Sequence, residues 1–189
     1  MRFDEKGRGK YCGYEFVNLQ LEGAAKNLFF ATCNLGAQKE TDYGEYYQSG
    51  CTEPYLKTYK DFDFNNPSYL EDACKLKMGG MWRMPTMEEL KALIKQTKFS
   101  WVAIDGVNGT KFSKIVDGKE RYVFFPAAGL YSSGSLNSKG SSGSVWSSTP
   151  LSSSYAYLLY FNSGLPKSIY SGSRYYGLSV RGVFKLFDI

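Results

Sequence analysis

The stretch from Tyr131 to Tyr176 consists mainly of serine, tyrosine and glycine, and it limits what this chain can be more than any other feature. Tyrosine supplies a large, rigid contact area at low entropic cost, while serine, glycine and asparagine supply adaptable hydrogen bonds. The stretch has no Asp, Glu, His or Cys, and therefore no side chain suited to acid–base catalysis or firm metal ligation. We expect a contact surface built from loops.

A chain of 189 residues is long enough to bury a hydrophobic core without disulfides or metals. We expect one ligand-binding domain over residues 14–189 and a short N-terminal extension over residues 1–13. The charged start, MRFDEKGRGK, is not a signal peptide, and no apolar run reaches the length of a membrane span. The sequence therefore predicts a protein without direct membrane insertion.

None of the cysteines has the CxxC spacing typical of a zinc site; they are Cys12, Cys33, Cys51 and Cys74. Because the chain contains no histidine, a zinc site would need all of these thiolates. We expect buried free cysteines, and disulfides remain an alternative if the protein is exported. We expect neither a metal nor a cofactor.

Charge is distributed unevenly along the chain. The net charge is +5, and no acidic residue lies between Arg121 and Phe187. The bases in that region are too sparse for a surface that follows a nucleic-acid backbone. We expect no nucleic-acid partner, and a mildly positive surface that suits an acidic protein or an anionic glycan.

Two helices are indicated by capping boxes, in which Glu follows a Ser or Thr at the third position. Ser68 and Glu71 form the first box and predict a helix over about Tyr69–Met78. Gly79 and Gly80 would end this helix, because glycine readily adopts the left-handed conformation of a helix C-cap.

The second capping box consists of Thr86 and Glu89 and predicts a helix over about Met87–Gln96. The buried face of this helix would carry Leu90, Leu93 and Ile94. Acidic residues in its first turn are explained by the helix dipole, so they do not indicate a catalytic pair.

The remaining pattern favours short strands. Tyr14–Thr32 predicts a hairpin that turns at Glu22–Asn27. Further strands are predicted at Trp101–Ile104, Tyr122–Phe125, Val145–Ser147, Tyr157–Phe161 and Leu178–Phe184. Turns are predicted at Asp105–Gly106, Asn108–Gly109 and Asp117–Gly118.

Alternation in Tyr157–Phe161 places Leu158 and Tyr160 on one face of a strand and the other three side chains on the opposite face. The segment between Phe161 and Gly177 has no periodicity. We expect it to be a surface loop, or a pair of loops, displayed by the strands on either side.

Several motifs follow one another in a specific order: ATCNLGA (31–37), DYGEYY (42–47), MWRMPTMEEL (81–90), FFPAAGL (124–130), VWSSTP (145–150), AYLLYFNSG (156–164) and GLSVRGV (177–183). Together they resemble the bacterial major paralogous domain proteins of the C-type lectin fold. They also resemble the related variable proteins of diversity-generating retroelements, in bacteria and their phages. The resemblance covers residues 14–184.

This resemblance implies an α+β, C-type lectin fold with two helices packed on a small, mostly antiparallel sheet and a long exposed C-terminal loop region. It also implies that a variable ligand-binding surface precedes the GLSVR segment. Carried over, the variable positions are Tyr155, Leu158, Tyr160, Leu165, Lys167, Ser168, Ile169, Tyr170, Ser171, Ser173, Tyr175 and Tyr176. The scaffold positions would be Trp146, Ala156, Leu159, Phe161, Gly177 and Val180.

Within this surface, tyrosine and arginine are the residue types most often found at interface hot spots. We expect the anchors to be Tyr155, Tyr160, Tyr170, Tyr175 and Tyr176. Arg174 or Lys167 would meet an anionic group of the ligand.

The sequence departs from the enzymes and sugar-binding lectins of this fold. The only Glu–Pro pair is Glu53–Pro54, far from the C-terminal face, so binding there would be calcium-independent. Formylglycine-generating enzymes carry late reactive cysteines, whereas the last cysteine here is Cys74. The lack of histidine excludes a Ser–His–Asp or Cys–His arrangement.

We therefore predict a non-enzymatic, receptor-binding or adhesin-type protein that displays a retroelement-diversified Tyr/Ser-rich surface. Its partner would be a protein or glycan on a cell surface, and it would itself be found at a cell surface, secreted or in a phage virion. The alternative is an undiversified structural component of a cell surface or pilus tip, without a specific ligand.

Overall fold

The structure of the protein is a computed structural model that describes residues 2–164 and 168–187. It is mostly β, with 45% of residues in strands and 14% in helices. Several antiparallel sheets are present, so the expected α+β arrangement of two helices on one small sheet, the C-type lectin fold, is wrong. Much of the β structure comes from strands whose sequences lack a clear alternating pattern.

The first sheet joins the two ends of the chain. Its strands, in spatial order, are β1 (Arg8–Tyr11), β2 (Tyr14–Asn18), β3 (Leu28–Asn34) and β14 (Arg181–Lys185). β2 and β3 form the predicted hairpin, in which a short 3-10 helix at Gly23–Ala25 occupies the turn. β1 lies in the expected N-terminal extension, and it pairs with β2 as an edge strand.

The second sheet carries most of the Tyr/Ser-rich stretch. Its strands, in spatial order, are β12 (Ser168–Ser173), β11 (Tyr155–Asn162), β10 (Ser142–Pro150), β13 (Leu178–Ser179) and β4 (Tyr46–Tyr47). β10, β11 and β12 are antiparallel, while β13 runs parallel to β10. The expected loop between Phe161 and Gly177 is therefore partly wrong, because six of its residues form the edge strand β12.

The third sheet is a meander of β5 (Lys98–Ile104), β6 (Val107–Val116) and β7 (Lys119–Pro126), and a small ribbon pairs β8 (Leu130–Ser132) with β9 (Ser135–Asn137). The predicted turns at Asp105–Gly106 and Asp117–Gly118 join the meander strands, with both residues of each pair at positive φ. Such pairs match the right-handed twist of the flanking strands. The turn expected at Asn108–Gly109 is wrong, since these residues lie inside β6.

Within the described residues there are three α-helices: α1 (Tyr55–Thr58), α2 (Ala73–Met78) and α3 (Met87–Gln96). α3 has the predicted bounds and the predicted capping box between Thr86 and Glu89. The helix expected over Tyr69–Met78 begins late, because the Asp72 carboxylate caps it by accepting from the Lys75 N–H. Residues Pro67–Tyr69 form a separate 3-10 helix.

Two hydrophobic clusters fill the space between these elements. One packs α2 and Trp82 against the aromatic side chains of the first sheet and against Trp146 and Leu158 of the second. The other packs α3 and the meander against the opposite faces of β10 and β11, including Leu159 and Phe161. The first sheet is thus covered on both faces, which explains near-continuous apolar runs such as the one in β3.

A buried arginine fastens the sheets together. Arg181, at 0% exposure, donates to the carbonyl oxygens of Ala31, Thr32 and Phe124 and to the side-chain oxygen of Asn34. These acceptors belong to β3, the neighbour of β14 in the first sheet, and to β7, so one side chain ties the first sheet to the third. Its guanidinium also lies 4.3 Å from the centre of the Phe125 ring.

The structure shows the state of the cysteines and allows a search for metal-binding clusters and membrane-spanning helices. Cys12, Cys33, Cys51 and Cys74 are all free, and the last two are buried. Over residues 2–164 and 168–187, no cluster of His, Cys, Asp or Glu could hold a metal ion. No helix in the same residues is long and apolar enough to cross a membrane.

Candidate functional site

A shallow apolar cavity of about 330 Å³ opens on the face of the second sheet that is turned away from α3. We call it the tyrosine groove. It is lined by Leu130, Ser144, Leu158, Tyr160, Tyr170, Ser171, Gly172, Tyr176 and Leu178. Most of these residues come from neighbouring strands of one sheet, so the sheet itself fixes their relative positions.

The floor of the tyrosine groove follows from the strand register. Leu158 lies directly opposite Tyr170 on one side and Trp146 on the other, and residues that face each other across antiparallel strands point to the same face. Leu158 and Leu178 are buried and form an apolar base. Gly172 adds no side chain, and a Cβ placed there would lie 2.8 Å from the Leu158 side chain.

Two tyrosine rings form a wall of the groove. The rings of Tyr160 and Tyr170 meet edge to face, with 5.7 Å between their centres. The Asn162 side-chain N–H donates to the Tyr160 hydroxyl at 3.1 Å, which holds that ring in place. Tyr170 keeps 48% of its surface exposed, so it is available to a ligand. Edge-to-face contacts between aromatic rings contribute about 1 kcal/mol, enough to limit ring motion before a ligand arrives.

Among the residues that the structure describes, no charged side chain lines the tyrosine groove. The mildly positive surface expected from the sequence is also weakened, because Arg121, Arg174 and Arg181 are buried. Lys139 remains at the surface and lies over the Tyr43 ring, 5.0 Å from its centre. A charged group entering the groove would lose hydration without gaining a counter-charge, so the groove favours uncharged ligands.

The sequence-predicted site residues fall into separate groups. Those that line the groove are Leu158, Tyr160, Tyr170, Ser171 and Tyr176, and Ser168 is paired with Tyr160 beside it. The backbone alternation places the side chains of Tyr155, Ile169, Ser171 and Ser173 on the opposite, α3-facing side of the sheet, so Ser171 borders the groove as part of the edge strand and does not direct its side chain into it. Tyr175 instead makes an edge-to-face contact with Phe62. Leu165 and Lys167 lie outside the described residues.

Arg174 has a structural position rather than the ligand-binding one expected. It is 4% exposed and donates to the carbonyl oxygens of Ser153, Tyr69 and Ser49, at 2.5, 2.7 and 3.3 Å. Burial lowers the pKa of its guanidinium from the ordinary value. These bonds join the loop after β4 to the loop between β10 and β11. The guanidinium therefore stabilises the packing of these loops.

Sequence reasoning missed an aromatic cluster next to the groove, in which Tyr55 is buried and its tyrosine neighbours are partly buried. Tyr55 stacks on both Tyr59 and Tyr131, and Tyr46 meets Tyr131 edge to face, with 5.0 Å between ring centres in each pair. Gly177 permits this arrangement, since a Cβ there would lie 2.6 Å from the Tyr55 ring. The available signal was the aromatic surplus, which extends to these early tyrosines as well as to the C-terminal third.

Phenol and thiol groups removed from water are expected to make the free energy of unfolding decrease at alkaline pH. Burial raises the pKa of the Tyr46 phenol, and repulsion from Tyr131 raises it further. Burial also raises the pKa of the Tyr47 phenol, and its hydrogen bond to Glu45 adds to that shift. Burial also raises the pKa of the Cys51 thiol to about 11. Groups with a raised pKa in the folded state contribute stability that is complete below the unfolded pKa and is lost as the pH rises.

We therefore expect the free energy of unfolding to stay level from pH 7 to about pH 8.5 and to fall above about pH 9. Urea denaturation at a series of pH values measures this dependence. The Tyr46→Phe variant, which cannot ionise at that position, should fall less steeply than the wild type. Equal slopes for the two proteins above pH 9 would contradict the prediction.

The comparisons with known proteins give one match. A family described as a domain of unknown function (DUF8237) matches residues 98–183. The matching part includes the meander, β10, β11 and β12, and therefore most of the tyrosine groove. No curated protein and no solved structure matches the chain.

Proposed function

We propose that this protein is a non-enzymatic binding protein that holds a protein or glycan of a cell surface in the tyrosine groove. The observation that carries the proposal is the groove itself. It joins an apolar floor, the exposed ring of Tyr170, the partly buried rings of Tyr160 and Tyr176, and small polar residues, and none of its described lining residues is charged. Binding sites for small or extended ligands are commonly apolar concavities with a few polar groups that fix orientation.

The energetics favour tyrosine as the anchor. Tyr170 exposes about half of its surface, yet contact with Tyr160 already restricts its ring, so a ligand would restrict it further at low entropic cost. Truncating a central tyrosine at an interface typically costs about 2 kcal/mol or more. That value corresponds to a loss of roughly 30-fold in affinity.

We further propose that the exposed positions of β11 and β12 are diversified by a retroelement. A strand held by backbone hydrogen bonds tolerates changes in its exposed side chains, such as Tyr170 and Ser171. The genome sequence tests this: an imperfect repeat of the coding region for residues 145–183, differing at adenines and lying beside a reverse transcriptase gene, is expected. A locus without such a repeat would contradict diversification and leave the binding function to be tested separately.

The binding function is tested with a matched pair of variants. Tyr170 and Tyr155 are both 48% exposed, but only Tyr170 lines the groove, while Tyr155 lies on the opposite side of the same sheet. Labelled wild-type protein is applied to a glycan array and to bacterial and host cell-surface fractions. We expect Tyr170→Ala to weaken the binding found there by about 30-fold and Tyr155→Ala to leave it within about threefold.

Thermal melts of both variants provide the control for folding. Both proteins should melt within a few degrees of the wild type, because each substituted ring is half exposed. Equal loss of binding in the two variants would place the contact surface elsewhere. Absence of wild-type binding to every glycan and surface fraction would favour a structural surface component without a specific ligand.

A further inference from the structure

The outer side of β12 offers backbone groups for hydrogen bonding. The Arg174 N–H donates to the Ser154 carbonyl, and the same register pairs Gly172 with Ala156. In an antiparallel ladder, hydrogen-bonded and non-bonded pairs alternate, so the even-numbered residues of β12 bond to β11. The N–H and C=O groups of Ile169 and Ser171 therefore point away from the sheet.

Within the described residues, no strand pairs with that outer side. β12 is the last strand of the second sheet, and no described residue makes a hydrogen bond to the backbone of Ile169 or Ser171. Proteins usually protect such edges with charged side chains, proline or a bulge. The segment Ser168–Ser173 contains no charged residue and no proline, and its pairing with β11 is regular.

The open edge of β12 borders the tyrosine groove. Tyr170 and Gly172 belong to the edge strand and also line the groove, and the outward amides of Ile169 and Ser171 alternate with them. A strand added beside β12 would lie about 4.8 Å away, with every second side chain on the groove face. Because none of the described residues that line the groove is charged, the groove complements uncharged side chains at those positions.

We propose that the ligand of the tyrosine groove is an extended polypeptide segment that pairs with β12 and inserts uncharged side chains beside Tyr170. This proposal rests on the proposed function and deepens it by naming the class of ligand. An extended peptide supplies N–H and C=O groups at the spacing of the free edge, which gives affinity, while the groove gives specificity.

The free protein provides a first test by amide hydrogen exchange. The amides of Ile169 and Ser171 should exchange at close to unprotected rates, whereas those of Tyr170 and Gly172 should be slowed by their bonds to β11. The fold itself provides the comparison, because these amides alternate in one strand. Protection of all four amides in the free protein would mean that the edge is already covered, and would overturn the proposal.

The second test uses a phage-displayed library of random linear peptides as the probe. Peptides selected on the wild-type protein are synthesised and titrated against Ser171→Pro and Ser171→Ala. Proline removes only an outward N–H, which an edge strand tolerates, whereas alanine keeps it. We expect Ser171→Pro to weaken binding at least tenfold. Ser171→Ala should leave it within about threefold, because it keeps the N–H and changes only a side chain that the strand register places on the opposite side of the sheet from the groove.

A change in the peptide gives a measurement that does not depend on how well a protein variant folds. In a paired peptide, every second backbone N–H faces β12 and the others face away. Methylating the nitrogens that face β12 should abolish binding, and methylating the other set should leave binding intact. Insensitivity to both Ser171→Pro and methylation would overturn the proposal. Failure of the library to yield any peptide sensitive to Tyr170→Ala would overturn it as well.

These outcomes separate this inference from the proposed function. Peptides that lose affinity with Tyr170→Ala but not with Ser171→Pro or methylation would occupy the groove without pairing to the edge. In that case the proposed function stands and the strand-addition inference fails. Glycan binding that depends on Tyr170, without any peptide binding, would also retain the proposed function and refute strand addition.

Discussion

Replacing Arg181 by methionine is expected to lower the free energy of unfolding by about 4 kcal/mol, since breaking a buried charged network typically costs 3–5 kcal/mol. Methionine approximates the volume of the side chain but donates no hydrogen bond. The carbonyls of Ala31, Thr32 and Phe124 and the amide oxygen of Asn34 would lose their donors in a buried site. Each unsatisfied buried group costs about 1–3 kcal/mol.

Urea denaturation of Arg181→Met and Lys185→Met measures the effect. Lys185 lies in the same strand, but its amine makes a long 3.3 Å bond to Ala24 near the surface, so its variant should change stability by less than about 0.5 kcal/mol. A loss below about 1 kcal/mol in Arg181→Met would show that the desolvation of the cation offsets its hydrogen bonds.

The second large effect is expected for Gly50→Ala, which should lose about 3 kcal/mol or more of stability. Gly50 has φ of +88°, and a Cβ there would lie 1.7 Å from the carbonyl oxygen of Tyr69. That oxygen is backbone and accepts a hydrogen bond from Arg174, so it cannot move without disturbing the loops that Arg174 holds.

Gly13→Ala is the matched control for the backbone conformation. Gly13 has φ of +82°, but a Cβ there would meet no atom within 4 Å. Its variant should cost only about 1–2 kcal/mol, the strain of a left-handed conformation in a residue with a Cβ. Equal losses in the two variants, measured by urea denaturation, would mean that the loop around Gly50 yields to the added methyl group.

Local chemistry made α3 and the shared strand face of Leu158 and Tyr160 predictable from sequence. The Thr86–Glu89 box satisfies helix N–H groups within four residues, so its effect needs no distant partner. The Glu89 carboxylate also accepts hydrogen bonds from both terminal guanidinium nitrogens of Arg83, at 2.8 and 2.6 Å, and these bonds fix the start of the helix. Alternation in β11 likewise placed Leu158 and Tyr160 on one face, as the groove lining shows.

Features that depend on distant partners could not be predicted. α2 begins at Ala73 because the Asp72 carboxylate binds both the Lys75 N–H and the Met84 N–H, and the second contact crosses a loop. β12 lacks an apolar pattern in its sequence, and its place in the sheet is set by backbone pairing with β11, a distant-partner effect that the pattern does not reveal. The predicted α+β fold class was wrong for the same reason: strands that are defined by pairing with distant partners contribute to the sheets and make the protein mostly β.

The structure brings some of the predicted site residues together on one face of the second sheet and places others elsewhere. Tyr155 and Tyr170 looked equivalent as exposed tyrosines, but the pleat of neighbouring strands places them on opposite faces. Arg174 looked available for an anion, but carbonyl oxygens from three loops occupy its donors. Sequence reasoning identifies residue types suited to contact, whereas strand register decides which of them can reach one ligand.

The pairing of β3 with β14 has a consequence for synthesis on the ribosome. Arg181 and Ala31 are 150 positions apart, yet they share a hydrogen bond. Such distant pairing raises contact order and slows folding, and β3 leaves the ribosome long before β14 does. During that interval the phenylalanine-rich edge of β3 stays open, so a nascent chain should need a chaperone until β14 emerges and pairs with it.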